Sequence, residues 1–351
     1  MEFGVYLHIP FCASRCDYCA FATWTDRHHL ADAYLEACRT DIERAVARGM
    51  RTATTVFVGG GTPTQVDPEL LGRVLDAIPI ADGAEVTVEC NPDDVTEDLL
   101  RTYRRHRVNR VSFGVQSMVN EVLNTLGRSH HPPAVVTAVE ATRAVGIPSF
   151  NLDLIYGAAG ETVAQWEHTV RAALALEPPH ISAYGLTVEA GTPLADDEAR
   201  WPDDDDQADK YELADDLLTA AGLENYEVSN WAVPGHESRH NRLYWAQGDY
   251  AGFGCAAHSH ETGRRWWNVR TPDRYIELVA AGRSVESAGE HLDAETRRIE
   301  GLQLALRTRE GVPHGVLPAD ELVGFVEVRG DRVVLTRRGR LMANEVSLRL
   351  H

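Results

Sequence analysis

Lysine is almost missing from this chain. Lys210 is the one lysine among 34 basic residues, so arginine carries nearly all of the positive charge of these 351 residues. Basic charge as a whole is scarce as well: 34 Lys and Arg stand against 53 Asp and Glu, a formal net charge of −19. That balance argues against general binding of nucleic acid, which needs a basic face toward phosphate. It also disfavours a polybasic anchor on anionic lipid. Long apolar runs are lacking: no stretch approaches the roughly 18–20 apolar residues that span a bilayer. The few residues before Cys12 are expected to hold no secretory signal. Six cysteines in a chain of this length do not make a disulfide framework. A reducing cytosol is the expected compartment. The acidic run Asp203-Asp-Asp-Asp206 reads as a solvated loop or helix start, not a metal site.

Three of the cysteines crowd together near the start. They stand in His8-Ile-Pro-Phe-Cys12-Ala-Ser-Arg-Cys16-Asp-Tyr18-Cys19, a C-x3-C-x2-C spacing on a short loop after an apolar strand, Gly4–Leu7. Three thiolates can hold three irons of a [4Fe–4S] cube, because soft sulfur suits such clusters. The fourth iron is then open to a substrate. A structural zinc site is the alternative; it wants four ligands in paired halves, and His8 or His28 could supply the fourth. Cys38, Cys90 and Cys255 read as packing residues, since free cysteine is often buried.

Residues 1–207 alternate strands and helices, the pattern of a parallel α/β sheet. Strands are expected at Gly4–Leu7, Thr55–Val58, Glu85–Glu89, Arg110–Gly114, Ser149–Asp153 and His180–Tyr184. Helices are expected at Leu30–Ala47, Glu69–Ala77, Thr96–His106, Asn120–Leu126, Pro133–Ala144 and Ala164–Leu176. Six units do not fill an eight-unit barrel. In such a sheet the functional loops follow the carboxyl ends of the strands. The cysteine loop follows the first strand, Gly59-Gly60-Gly61-Thr62-Pro63-Thr64 the second and Glu89-Cys-Asn-Pro92 the third. Gly114-Val-Gln116-Ser and Asp153-Leu-Ile-Tyr-Gly157 follow the fourth and fifth. One face of one partial barrel therefore collects every unusual motif. Residues 208–283 read as an aromatic-rich extension in which the β/α rhythm fades. Residues 284–351 read as a small domain, with an amphipathic helix at Glu295–Leu306, a strand at Asp331–Thr336 and a final helix at Leu341–Leu350.

The cysteine string resembles the cluster loop of the radical S-adenosylmethionine (SAM) superfamily. Tyr6-x-His8-Ile-Pro-Phe-Cys12 narrows the resemblance to the branch of oxygen-independent coproporphyrinogen III oxidases (HemN) and heme chaperones (HemW). The resemblance implies an open, partial (β/α)6 barrel followed by a small winged-helix-like α+β domain. It implies a [4Fe–4S] cluster on Cys12, Cys16 and Cys19, with SAM chelating the open iron and a reductant supplying the electron that yields a 5′-deoxyadenosyl radical. Gly60, Gly61 and Thr62 match the GGGTP element that receives the methionyl amino group. Glu89, Gln116 and Arg128 fall in positions of polar contact with SAM, Arg128 as a clamp on its carboxylate. Asp153 would accept from the ribose hydroxyls, Tyr18 would lie against SAM near the cluster, and Tyr6 would reach the sulfonium.

Two departures weigh against the oxidase side of that branch. Its pattern continues to a further cysteine where this chain has Phe21, and it carries an N-terminal extension ahead of the position of Tyr6. His240-Asn241-Arg242-Leu243-Tyr244-Trp245 matches the H-N-x-x-Y-W motif of the heme chaperones, and makes His240 the expected axial ligand of heme. His236, His258, His260 and Cys255 are alternative ligands, and Arg239, Arg242, Arg264 and Arg265 could pair with propionates. The expected function is a heme chaperone that delivers heme to recipient hemoproteins. The resemblance further implies a homodimer and membrane-associated clients, hence peripheral placement at the membrane. Radical decarboxylation of coproporphyrinogen III is the alternative. A porphyrin-methylating or ring-opening enzyme, and a binding module without redox chemistry, stand behind it.

Overall fold

The computed structural model describes residues 2–351. Six strands pair in parallel in chain order: β1 (Gly4–Ile9), β2 (Ala53–Gly60), β3 (Ile80–Cys90), β4 (Arg110–Gln116), β5 (Ser149–Tyr156) and β6 (His180–Gly185). Successive side chains of a strand face opposite ways, and here the two faces differ in chemistry. Val5, Leu7, Ile9, Val56, Val58, Val86, Val88, Val111, Phe113, Leu152, Leu154 and Ile181 are buried on one face. The alternate positions, Phe57 apart, are polar or small: Tyr6 and His8, Thr55 and Gly59, Glu85, Thr87 and Glu89, Arg110 and Ser112, Asn151 and Asp153, His180 and Ser182. Register aligns them into rungs, as in Glu89–Ser112–Asn151–His180.

The apolar face is covered by the crossover helices that parallel pairing demands. These are α1 (Ala31–Ala47), α2 (Pro68–Asp76), α3 (Glu97–Arg105), α4 (Asn120–Thr125), α5 (Pro132–Val145) and α6 (Val163–Leu174). Local chemistry sets their ends. Asp67 and Thr96 cap α2 and α3 by accepting from the N–H groups of Leu70 and Leu99. Thr162 and Gln165 close a capping box on α6. The expected helices and strands are all present, with ends shifted by a few residues. The acidic run begins α7 (Asp204–Ala220): Asp203 caps it, and Asp204, Asp205 and Asp206 fill its first turn, where the helix dipole favours negative charge.

Residues 208–283 do not stand apart from the barrel. After α7, β7 (Glu224–Glu227) and β8 (Asn230–Ala232) add antiparallel strands beyond β6. Then α8 (Arg239–Trp245) leads to β9 (Tyr250–Phe253), which lies parallel to β1 on the opposite edge. The strands β10 (His258–Glu261) and β11 (Arg264–Asn268), then α9 (Pro272–Ala280) and β12 (Glu286–His291), extend that edge. Among the described residues the sheet has twelve strands, in the order β12-β11-β10-β9-β1-β2-β3-β4-β5-β6-β8-β7. The fading rhythm marks the change from parallel units to antiparallel edges.

The tail folds around its own apolar cluster of Leu306, Val312, Leu317, Val326, Val333 and Val346. It consists of α10 (Ala294–Leu306), β13 (Val312–Pro313), β14 (Val326–Arg329), β15 (Arg332–Leu335), α11 (Arg337–Leu341) and α12 (Ala343–Ser347). The expected single final helix is thus two short ones. Arg340 fastens the tail to the barrel through Asp215, 2.8 Å away, whose other oxygen accepts from Trp231 Nε1 at 2.8 Å. No helix among the described residues is long and apolar enough to cross a membrane.

Lys210 on α7 is fully buried. Its Nζ lies 2.6 Å from Asp206 Oδ2 and 3.2 Å from Glu161 Oε2, and donates to the Glu161 carbonyl at 2.7 Å. Removing one partner of a buried pair strands the other charge. Lys210→Met is expected to cost about 3–5 kcal/mol in denaturant unfolding. Arg101→Met, which breaks exposed pairs with Glu97 and Asp98 on α3, should cost no more than about 1 kcal/mol.

Candidate functional site

Pairing between β1 and β2 does not stop at the strand ends. Gly61 N–H donates to the Ile9 carbonyl at 2.7 Å and Thr62 N–H to the Phe11 carbonyl at 2.8 Å. The cysteine loop is closed at its base by Trp24, whose N–H donates to Pro10 and whose carbonyl accepts from Cys12 N–H. Glycine is required where the two loops touch. A Cβ on Gly61 would stand 2.8 Å from both the Ile9 and Phe11 carbonyl oxygens and 3.1 Å from Cys12 Sγ. Gly60 has φ +110°, and a Cβ there would strike the His8 ring at 2.3 Å.

Cys12, Cys16 and Cys19 are free, half-buried thiols in the wall of one cavity. Burial pushes the Cys12 and Cys19 thiols up; the Thr62 hydroxyl, 3.5 Å from Cys12 Sγ, pulls the other way. Arg128 Nη1 lies 3.5 Å from Cys16 Sγ. The two histidines that could complete a zinc set are committed elsewhere. His8 Nε2–H donates to the Ala22 carbonyl at 2.9 Å, which leaves Nδ1 to accept from the Tyr6 hydroxyl at 3.0 Å. His28 Nε2–H donates to the Cys12 carbonyl at 3.0 Å. Among the described residues no three His, Cys, Asp or Glu side chains converge as a single ion requires. Three thiols without a fourth protein ligand suit a cube with one open iron.

The cavity measures about 620 Å³ and opens at the carboxyl ends of the strands. Tyr18, Gly60, Gly61, Thr62, Glu89, Gln116, Arg128 and Asp153 all line it beside the cysteines. Glu89 Oε2 accepts from Gly60 N–H at 3.0 Å, which ties the glycine loop to the third strand. Enclosure, and then the nearby Asp153, raise the Glu89 carboxyl to about 7. Asp153 is also pushed up by burial, against bonds from Ser112 at 2.7 Å and Asn151 at 2.8 Å. Gln116 sits at φ +60°, in the left-handed region, where the register of β4 against β5 slips. That strained position aims its side chain into the cavity. Arg128 Nη2 is held by Asn91 Oδ1 at 2.9 Å and the Gly114 carbonyl at 3.0 Å.

Two expected residues lie elsewhere. Tyr6 lines a second, inner cavity of about 260 Å³, its ring stacked on Phe57. It points inward below the level of the cysteine loop, because its place on β1 precedes the strand end. His240 is fully buried on α8 and lines neither cavity. Its Nδ1 bonds Thr55 Oγ1 at 2.9 Å and its Nε2 bonds the Tyr244 hydroxyl at 2.8 Å. A sealed imidazole must satisfy both nitrogens, so in this arrangement His240 offers none to iron. Burial also holds its pKa down to about 3, which keeps the ring neutral.

The alternatives are mostly engaged. His236 bonds Ser149, His260 bonds the Gly248 carbonyl, and Cys255 lies against the Tyr34 hydroxyl. Arg242, Arg264 and Arg265 pair with Glu310, Glu286 and Glu290, and Arg239 donates to the Gly83 carbonyl. His258 is exposed, its ring against Trp267. Sequence reasoning overlooked Thr87, Arg110, Asn151, His180 and Asn241, which line the inner cavity. For the first four the signal was polar residues at every second strand position; Asn241 stands on α8.

A partial parallel barrel with three cysteines around its mouth defines a class, and comparison agrees. The family model described as the radical SAM superfamily matches residues 6–173. Heme chaperone HemW of Mycobacterium tuberculosis (strain H37Rv) is 42% identical over 98% of this chain and 93% of its own length. HemW of Bacillus subtilis (strain 168) is 34% identical over 98% and 97%, and HemW of Escherichia coli (strain K12) 35% over 98% and 96%. The solved coproporphyrinogen III oxidase HemN of Escherichia coli superposes with a TM-score of 0.85 over 99% of this chain and 89% of that one, at 23% identity, a likeness of fold. The chain belongs to the HemW family of the radical SAM superfamily. The superfamily's cofactors are a [4Fe–4S] cluster and SAM.

Two outcomes test this geometry. Gly61→Ala should lose most of its cluster loading, read as iron and sulfide per chain, while remaining folded. Glu89 has a folded pKa above its ordinary value of 4.5, so the folded state holds its proton longer than the unfolded chain. Stability of the ligand-free protein should therefore fall as pH rises from about 4.5 to about 7. Glu89→Gln should remove on the order of 1–3 kcal/mol of that slope, measured by denaturant unfolding at pH 5 and pH 8.

Proposed function

We propose that this protein binds heme and passes it to recipient hemoproteins, and that it carries a [4Fe–4S] cluster and SAM in the same barrel. The observation that carries the reading is the match to heme chaperones at up to 42% identity along 98% of the chain. Phe21 adds support: it is exposed at the cavity wall, where the oxidase pattern has a further cysteine.

Cys12, Cys16 and Cys19 would hold three irons. Together the cluster and SAM supply a one-electron reduction of the sulfonium. Gly60, Gly61 and Thr62 would meet the methionyl group through their backbone, and Glu89 would accept from its ammonium. Arg128 would receive the carboxylate, Gln116 would add a polar contact, Asp153 would take the ribose, and Tyr18 would cover the ligand beside the cluster. His240 would ligate heme only after the Tyr244 side chain, one turn along the same helix, leaves Nε2. A reductant, a second copy of the chain and clients at a membrane complete the reading.

The test is an anaerobic heme titration of the cluster-loaded protein, followed by its Soret band. Saturation near about one heme per chain, weakened at least about tenfold by His240→Ala and unchanged by His258→Ala, is expected. Loss in His258→Ala alone would move the iron to the exposed face of β10. No saturation in the parent would end the heme reading and make coproporphyrinogen III the next compound to try.

A further inference from the structure

The inner cavity has a polar floor that the SAM assignments leave unused. Arg110 Nη2 and Thr87 Oγ1 are buried with no hydrogen-bond partner. The two residues are 4% and 1% exposed and stand side by side, Thr87 pairing in register with Arg110 across β3 and β4. Both belong to the wall of the 260 Å³ cavity. An unpaired guanidinium N–H and an unpaired hydroxyl are costly in a low-dielectric interior. Two such groups on one wall point to an acceptor that occupies the space between them and the opposite wall.

The remainder of Arg110 is fixed. Nη1 donates to Ser149 Oγ and to the His236 carbonyl, each at 2.9 Å. Glu85 stands 4.0 Å away, and its oxygens already accept the N–H groups of Arg239 and His240. It offsets part of the positive charge without satisfying Nη2. On the far side His180 is locked, with Nδ1–H donating to Asn151 Oδ1 and Nε2 accepting from the Tyr226 hydroxyl. Asn241 lines the cavity from α8. Phe21, Gly60, Glu89, Ser112, Asp153 and Tyr184 line both cavities, so the inner one adjoins the larger. Glu89 and Asp153 at this neck are both shifted toward their neutral forms, which lowers the barrier to an anion.

We propose that the inner cavity is a subsite for a short aliphatic carboxylate, received by Arg110 and Thr87 with Asn241 beside it. A carboxylate is a flat, acceptor-only group that matches guanidinium and hydroxyl donors. A phosphate dianion would set two charges against one guanidinium, and the volume admits an arm of a few carbons but no macrocycle. Asn241, next in sequence to His240, thereby meets the ligand from α8. The carboxylate is either the propionate of a porphyrin in the larger cavity, which rests on the heme reading, or a free small acid.

The probe is carboxyl-labelled 13C propionate, titrated by NMR line broadening into the cluster- and SAM-loaded protein. Saturable binding is expected, weakened at least about tenfold in Arg110→Gln and severalfold in the near-isosteric Thr87→Val. Thr87→Val and Asn241→Ala keep the test decisive if Arg110→Gln fails to fold. Absence of saturable propionate binding, or equal binding in parent and variants, would overturn the proposal and leave a water-filled cavity. A second arm compares iron protoporphyrin IX with its dimethyl ester. A preference for the free acid that Arg110→Gln abolishes assigns the carboxylate to porphyrin. Arginine-dependent propionate binding with acid and ester alike supports the subsite for a free acid. The same binding with no porphyrin uptake supports the subsite while the heme reading fails.

Discussion

The candidate site depends on the first two parallel strands continuing to pair after the sheet has ended. Two backbone hydrogen bonds, from Gly61 to Ile9 and from Thr62 to Phe11, lay the glycine loop against the root of the cysteine loop. They place the Thr62 hydroxyl beside Cys12 and leave Gly60 N–H for Glu89. The glycines admit this approach because each lacks the one carbon that would strike a neighbour. A loop rich in unpaired thiols would otherwise be expected to fray. Here it inherits the order of the strands.

The second constraint is the division of the barrel wall. Outward positions are apolar and pack beneath helices, so they read as ordinary buried parallel strands. Inward positions are mostly polar, and several satisfy one another across the rungs, as Asp153, Asn151 and His180 do in series with Tyr226. Such a network fixes side-chain directions in a space otherwise free to fill with water. Burial raises the carboxyl groups of Glu89 and Asp153 against the hydrogen bonds that hold them.

Most of this was legible in the residues. The β/α alternation placed all six parallel strands, and the loops after five of them carried the cavity lining, because parallel topology sends those loops to one end. Less visible was what residues 208–283 do. Their short strands pair with β6 and β1, which are distant in sequence, and no local pattern announces so remote a partner. His240 misled for another reason. Its neighbours in sequence describe an aromatic, ligand-like setting, yet Thr55 and Tyr244 occupy its nitrogens, and Thr55 lies 185 positions away. Arg110 was overlooked because a lone arginine within a strand shows no sign of which of its nitrogens the fold will leave bare.

The buried Lys210 has a consequence for how the protein meets its surroundings. With its single lysine sealed between Glu161 and Asp206, the described surface presents no ε-amine. Acetyl groups, ubiquitin-like tags and amine-directed cross-linkers therefore find no lysine side chain on the folded molecule. A lysine that does become reactive would report that α7 has come away from the barrel.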